Sequence, residues 1–173
     1  MSDQAAVDEE AVRSRDRQVK DSALGIVNPS SGLANDYLNV FNEIILLLEF
    51  LPTMPEMTDE ALAWRPRGYR EYFQQSPLPG ASEAVRRYEG VDPALRKRFE
   101  SILKRLIEIA QAAQRKVAAE LAGPNFPGSI VEPCESTAAA MREGLQHVAR
   151  LINEGPVGAA RGKSATISSP SGS

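Results

Sequence analysis

The sequence predicts an all-α protein, an up-and-down bundle of about four main helices with disordered tails. Apolar residues recur at spacings of three and four between residues 23 and 155, and no run alternates apolar with polar residues as a strand would. Pro and Gly pairs divide this region into helix-sized lengths. With 173 residues, 42% of them apolar and 25% charged, the chain is long enough for one domain with a core. We therefore predict a helical bundle domain over residues 23–155.

The two ends of the chain have a different composition. Residues 1–22 are mostly charged, and residues 156–173 are rich in Gly, Ser and Pro, so we predict disordered tails at 1–22 and 156–173. The first 30 residues contain no apolar stretch typical of a signal peptide. The longest aliphatic run, residues 44–48, is far below the roughly 20 residues that a spanning helix needs. A soluble, cytoplasmic protein without a membrane partner is expected.

The first predicted helix covers residues 32–51, and Ser30 or Ser31 is placed to cap it. Its second half is apolar on all sides, which predicts that it lies at the centre of the bundle. Pro52 and Pro55 end it. The stripe that we expect to face the core consists of Leu33, Tyr37, Phe41, Ile44, Leu48 and Leu51.

Three short helical pieces follow. The first starts at Thr58, has acids in its first turn where the helix dipole favours them, and is interrupted by Pro66. A second piece through residues 69–73 continues on a new axis until the SPLPG segment at 76–80. The third covers residues 82–88.

Two long helices complete the bundle. Asp92 and Pro93 form a strong start signal, and the helix runs to Leu121, over about 40 Å. The last helix begins near Pro133 and ends before Gly155. The expected core positions are Leu95, Phe99, Ile102, Leu106, Ile109, Ala113 and Val117 in the first, and Ala138, Met141, Leu145, Val148 and Ile152 in the second.

Asn35, Asn39 and Asn42 line up on one face of the first helix, at positions i, i+4 and i+7. Asn costs a helix roughly 0.6 kcal/mol per site relative to Ala, which indicates that the three side chains make a contact. Three interpretations remain open. The amides are buried between helices, they form a subunit or partner interface, or they belong to a tolerated neutral surface. Leu46 and Phe50 extend the same side.

A second candidate is the aromatic and arginine-rich segment at residues 64–73, which surrounds Pro66 and Gly68 and is called the elbow below. Its aromatics could close one end of the bundle, with the arginines solvated. Trp, Tyr and Arg are also typical of protein interfaces, and arginines among aromatics suit nucleic acids or other anions. The candidate residues are Trp64, Arg65, Arg67, Tyr69, Arg70 and Tyr72.

The usual catalytic arrangements are missing from the sequence. The single histidine, His147, lies about 140° from the buried stripe of its helix and should be exposed, as an ordinary surface residue or as a phosphorelay site. The single cysteine, Cys134, has no base beside it, although a helix N-terminus could lower its pKa. Residues 158–164 resemble a phosphate-binding loop, but only three residues separate its glycines. We therefore assign no catalytic, metal-binding or cofactor-binding residue.

Charge is unevenly distributed along the chain. Residues 1–62 hold four basic and twelve acidic residues, whereas residues 94–122 hold seven basic and three acidic residues. The sequence thus predicts a non-enzymatic interaction or regulatory protein that acts through helix faces, with another protein or a second copy as partner. A nucleic-acid partner is not expected from the net charge of −3. Alternatives are an anion-binding or nucleic-acid-binding protein that uses the elbow, and a small helical enzyme or ligand-binding protein with a pocket beside the asparagines.

Overall fold

The computed structural model describes residues 12–13 and 25–161, with side chains up to Pro156. Within this part of the chain no strand is present, and the prediction of an all-α bundle is confirmed. The number of about four main helices was approximate, because two long helices and one of twelve residues are accompanied by three short ones. The helices are α1 (Asn39–Phe50), α2 (Thr58–Ala63), α3 (Tyr69–Gln74), α4 (Ala81–Glu89), α5 (Pro93–Glu120) and α6 (Val131–Arg161). The predicted tails lie mostly outside the described residues.

The start of α1 differs from the prediction. A 3-10 helix over Asn35–Leu38 precedes it. The hydroxyl of Ser31 accepts a hydrogen bond from the backbone N–H of Leu33 at 3.2 Å, before either helix begins. Ser31 therefore stabilises the turn that leads into the helix and does not cap it. The predicted core stripe of this segment is nevertheless buried throughout.

The starts and ends of the next helices follow the sequence signals. Helix α2 begins at Thr58 and ends at Ala63, three residues before Pro66, which has no backbone N–H and also restricts the residue before it. Helix α5 begins at Pro93, and the Asp92 carboxylate accepts a hydrogen bond from the backbone N–H of Leu95 at 2.9 Å. The predicted N-cap at Asp92 is therefore confirmed.

The buried face of α5 differs from the predicted heptad. Ile102 and Ile109 are only half-buried, and Leu103 and Ala110 are buried instead. An α-helix of 28 residues drifts away from a strict seven-residue repeat, so its core face cannot follow one heptad register. Ile102 and Ile109 line a groove between α5 and α6.

Helix α6 packs along both α5 and α1, and all five of its predicted core residues are buried. The prediction that the first helix is the centre of the bundle is wrong. Leu46 and Phe50 of α1 are 46% and 48% exposed, because one side of that helix has no neighbouring helix among the described residues. At Gly155, which has a φ of +64°, α6 is interrupted before it continues to Arg161.

None of the helices within residues 25–161 combines the length and the apolar character needed to cross a bilayer.

Candidate interaction surface

One face of α1 points away from the rest of the protein. It carries Asn39, Glu43, Leu46 and Phe50, which follow each other at helical spacings of four, three and four and are all exposed. We call these four residues the α1 ridge. Every other apolar residue of the helix is buried, namely Val40, Phe41, Ile44, Ile45, Leu47 and Leu48. The ridge therefore holds the apolar side chains of α1 that the bundle leaves uncovered.

Asn35 and Asn39 are exposed and Asn42 is half-buried, so none of the three is buried between helices. The Asn35 amide donates a hydrogen bond to the side-chain oxygen of Asn153 in α6 at 3.2 Å, and Asn28 donates to the same oxygen at the same distance. The Asn42 amide donates to the side chain of Asn39 at 3.2 Å. Asn35 thus links the start of the helical segment to α6, whereas Asn39 belongs to the α1 ridge and Asn42 flanks it.

The ridge carries one unpaired negative charge. The Arg142 guanidinium donates two hydrogen bonds, of 2.8 and 2.7 Å, to the Glu49 carboxylate and lowers its pKa. Glu43 has no hydrogen bond or ion pair with any described residue. Residues 32–64 contain six acidic residues and no Lys or Arg. The chain segment that carries the ridge is therefore acidic, and Arg142 of α6 is the basic residue paired with an acid of α1.

The aromatic part of the elbow is built into the core. Trp64 and Tyr69 are buried, and the Trp64 indole N–H donates to the Val40 carbonyl at 3.2 Å. The Tyr69 hydroxyl accepts a hydrogen bond from the Ala34 N–H at 2.9 Å. Tyr72 is half-buried and packs edge-on against the Tyr37 ring, with centroids 5.8 Å apart. Trp64 and Tyr69 are therefore packed inside the protein and are not free to stack on bases.

The elbow arginines are exposed but differ in their contacts. Arg67 lies over the Tyr72 ring at 5.4 Å, and Arg70 pairs with Glu89 at 3.4 Å. Arg65 donates from one guanidinium nitrogen to the carbonyls of Leu62 at 2.8 Å and Trp64 at 2.7 Å. Arg65 also lines an open cleft of about 520 Å³ with Leu62, Gln111, Gln114, Arg115 and Ala118. No sequence pattern pointed to the residues that α5 contributes to this cleft.

The remaining reactive side chains do not form a catalytic site in the described part of the chain. His147 is exposed, as predicted, and lies beside Arg105 and Glu143 in a groove of about 390 Å³ between α5 and α6. Cys134 is 1% exposed, and burial raises its pKa to about 11, so the helix N-terminus does not lower the thiol pKa. No group of three or more His, Cys, Asp or Glu residues among those described is arranged to hold a metal ion.

No protein-family model, curated protein or solved structure matches the chain. The predicted interaction residues divide into two regions. Asn39 and Asn42 lie in α1, and Asn35 lies in the 3-10 helix before it. Of the elbow residues, Trp64, Arg65 and Arg67 connect α2 with α3, whereas Tyr69, Arg70 and Tyr72 belong to α3. Glu43 is not among the predicted interaction residues, although its helical spacing from Asn39 and Leu46 is visible in the sequence.

Proposed function

We propose that the protein is a non-enzymatic interaction protein whose α1 ridge binds an amphipathic helix with Lys or Arg beside its apolar stripe. The observation that carries this proposal is the exposure of Leu46 and Phe50, at 46% and 48%, one turn apart on an otherwise buried helix. Neighbouring apolar side chains at helical spacing are the anchors by which helices dock on one another. Asn39 supplies an amide beside them that can fix the register of a partner helix.

The charge around the ridge favours a basic partner. Glu43 lies one turn before Leu46 and has no partner among the described residues, whereas Glu49 is already neutralised by Arg142. A Lys or Arg on the bound helix would pair with Glu43, and the acidic character of residues 32–64 would attract it from a distance. An acidic helix would be repelled by the same groups.

Another protein fits the ridge better than a second copy does. Two half-exposed apolar side chains cover far less than the about 800 Å² per partner of a standard stable interface. A second copy would also bring its own Glu43 and the same acidic surroundings. A short basic helix makes use of the apolar anchors and of the charge at once.

Three synthetic helical peptides with the same apolar stripe, flanked by Lys, Gln or Glu, test the proposal on the full chain by fluorescence anisotropy. We expect the Lys peptide to bind most tightly and the Glu peptide most weakly. Replacing both anchors, Leu46→Ser with Phe50→Ser, should weaken binding at least about tenfold. The matched control is Leu78→Ser with Leu121→Ser, which removes apolar side chains that are 37% and 40% exposed elsewhere.

Charge is tested separately with Glu43→Gln, which should reduce the preference for the Lys peptide, against Glu56→Gln at an exposed acid outside α1. Equal weakening by the anchor pair and its control would contradict the proposal, as would equal binding of the Lys and Glu peptides. Light scattering on the chain alone measures its oligomeric state and so tests whether a second copy of the chain binds the ridge. A dimer that the anchor substitutions dissociate would assign the ridge to a second copy.

A further inference from the structure

The cleft between α2 and α5 has a one-sided chemistry. Four of its six lining side chains, Arg65, Gln111, Gln114 and Arg115, carry N–H donors, and none of the six carries a carboxylate. Leu62 and Ala118 add apolar surface. The cleft is open to solvent, and its volume of about 520 Å³ lies within the usual range of small-molecule sites, about 300–1,000 Å³. Two guanidinium groups without a lining acid favour an anion.

One of these guanidinium groups is held in place before any ligand arrives. Pro66 prevents α2 from continuing, so the carbonyls at its end have no helical partner. Arg65 donates from one nitrogen to the carbonyls of Leu62 and Trp64. This anchoring fixes the direction of the side chain, and the opposite edge of the guanidinium has no partner among the described residues. A group oriented in this way loses little freedom when it binds a ligand.

The other side of the cleft is supplied by successive turns of α5. The Gln114 side-chain amide donates hydrogen bonds to the carbonyls of Ala61 at 2.8 Å and Trp64 at 2.9 Å, and so links α2 to α5. Gln111 and Arg115 lie four residues apart on the same face and make no hydrogen bond or ion pair with a described residue. Both donors are therefore available to a molecule in the cleft.

We propose that this cleft binds the phosphate group of a small phosphate monoester. A carboxylate satisfies one guanidinium in a bidentate fashion, whereas a phosphate has three terminal oxygens and close to two negative charges, and can engage Arg65 and Arg115 together. Leu62 and Ala118 provide the apolar wall for the carbon part of the ester. Trp64, Tyr69 and Phe73 of the elbow are buried and offer no base-stacking surface, which favours a small molecule over a nucleic acid.

The test is an NMR titration of the full ¹⁵N-labelled chain with propyl phosphate, inorganic phosphate and acetate at constant ionic strength. Saturable shifts at the amides around Arg65 and Arg115 are expected with both phosphates. Propyl phosphate should bind more tightly than inorganic phosphate, and acetate at least about tenfold more weakly. Arg115→Gln should weaken phosphate binding at least about tenfold, because it removes a charged donor.

Two matched controls separate a site from general attraction to basic residues. Lys116→Gln removes the same charge one residue further on, where the ammonium pairs with Glu120, and should leave binding nearly unchanged. Arg65→Gln is compared in the same way with Arg67→Gln. Because Arg65 also binds backbone carbonyls, thermal unfolding checks that the Arg65→Gln variant folds. If that variant does not fold, the Arg115→Gln variant alone tests the proposal.

Three results would overturn the proposal: shifts that do not saturate, equal losses of binding in Arg115→Gln and Lys116→Gln, or acetate that binds as tightly as phosphate. Equal affinity for inorganic phosphate and propyl phosphate would contradict the part of the proposal that names an ester as the ligand.

Discussion

At the scale of single residues, Gln114 links two helices through hydrogen bonds from its side chain to backbone carbonyls. Its one amide nitrogen lies within hydrogen-bonding distance of the carbonyls of Ala61, Leu62 and Trp64, at 2.8, 3.5 and 2.9 Å. These carbonyls belong to the last turn of α2 and the residue after it, where Pro66 leaves no backbone donor. One side chain of α5 therefore completes the end of another helix about fifty residues earlier in the chain.

Replacing Gln114 should destabilise the protein more than its position suggests. We expect Gln114→Leu to lower the free energy of unfolding by about 1–3 kcal/mol, because the Ala61 carbonyl loses its side-chain donor and the Trp64 carbonyl keeps only Arg65. Urea unfolding followed by circular dichroism measures this. Gln111→Leu is the matched control, one turn earlier on the same cleft and without a hydrogen bond to a described residue, and should change stability by less than about 0.5 kcal/mol. Equal effects of the two substitutions would contradict the assigned role.

Asp92 and Gln114 both bind backbone groups at the end of a helix, but only the role of Asp92 could be predicted from the sequence. Asp92 next to Pro93 is a local signal, since the cap and the N–H that it binds lie three residues apart. Gln114 satisfies carbonyls that become its neighbours only when α2 packs on α5. A contact of this kind depends on the tertiary arrangement, and no spacing within the chain encodes it.

At the scale of elements, α6 combines long regular packing with one sharp interruption. Gly155 adopts a φ of +64°, which L-residues with a side chain rarely accept. A Cβ added there would overlap the backbone carbonyl of Ser30, so the site also has no room. The sequence predicted that the helix ends before Gly155. The structure instead turns the helix axis there and continues to Arg161.

Gly155→Ala should therefore be costly. A left-handed conformation costs a residue with a side chain roughly 1–2 kcal/mol, and the overlap with Ser30 adds to it. We expect a loss of more than about 2 kcal/mol of unfolding free energy, measured by denaturant titration. Gly128→Ala is the comparison, because a Cβ there meets nothing within 4 Å, and it should be tolerated. A neutral Gly155→Ala would contradict the strained turn.

At the scale of the whole molecule, a cluster of aromatic rings ties together elements that are far apart in the sequence. The Tyr69 ring stacks on Tyr88 of α4 at 4.5 Å and packs edge-on against Phe99 of α5 at 5.8 Å. The Tyr37 ring packs against the Tyr69 ring with centroids 5.2 Å apart, and the Tyr37 hydroxyl donates a hydrogen bond to the Arg67 carbonyl. The aromatic residues of the elbow thus serve packing, whereas its arginines are exposed. The sequence could name these residues, but it could not decide between a core and an interface because both select aromatic side chains.

This cluster makes stability depend on alkaline pH. Burial, followed by the nearby Glu71 carboxylate, raises the pKa of Tyr37 to about 12, and burial also raises the pKa values of Tyr69 and Tyr88. A folded-state pKa above the unfolded value of about 10 means that the stabilisation is complete below pH 10 and is lost as the pH rises towards 12.

Urea unfolding at pH 8, 9 and 11.5 should therefore show a free energy of unfolding that is similar at the first two values and lower at the third. The Tyr37→Phe variant lacks one of these ionisations and should lose less stability between pH 9 and 11.5, although it starts lower without the bond to Arg67. An unchanged free energy up to pH 11.5 would show that the buried phenols do not govern alkaline stability.

The exposure of Leu46 and Phe50 also belongs to this scale. The sequence shows that the second half of this helix is apolar on all sides. It does not show how many neighbouring helices the folded bundle places around it. The helix proved to have an uncovered side because the three short helices pack at the elbow end, where the aromatic rings meet, and α6 covers another face.

The amide cluster of Asn28, Asn35 and Asn153 has a topological consequence. It joins the beginning of the described domain to the last turns before Gly155, across 125 residues of intervening chain. The two ends of residues 28–155 therefore lie close together. They could be joined, and the chain could be opened at another point, without changing how the helices pack. A short bridge between these neighbouring ends, combined with a new opening in the exposed segment at 75–79, would give a circularly permuted chain with the same core.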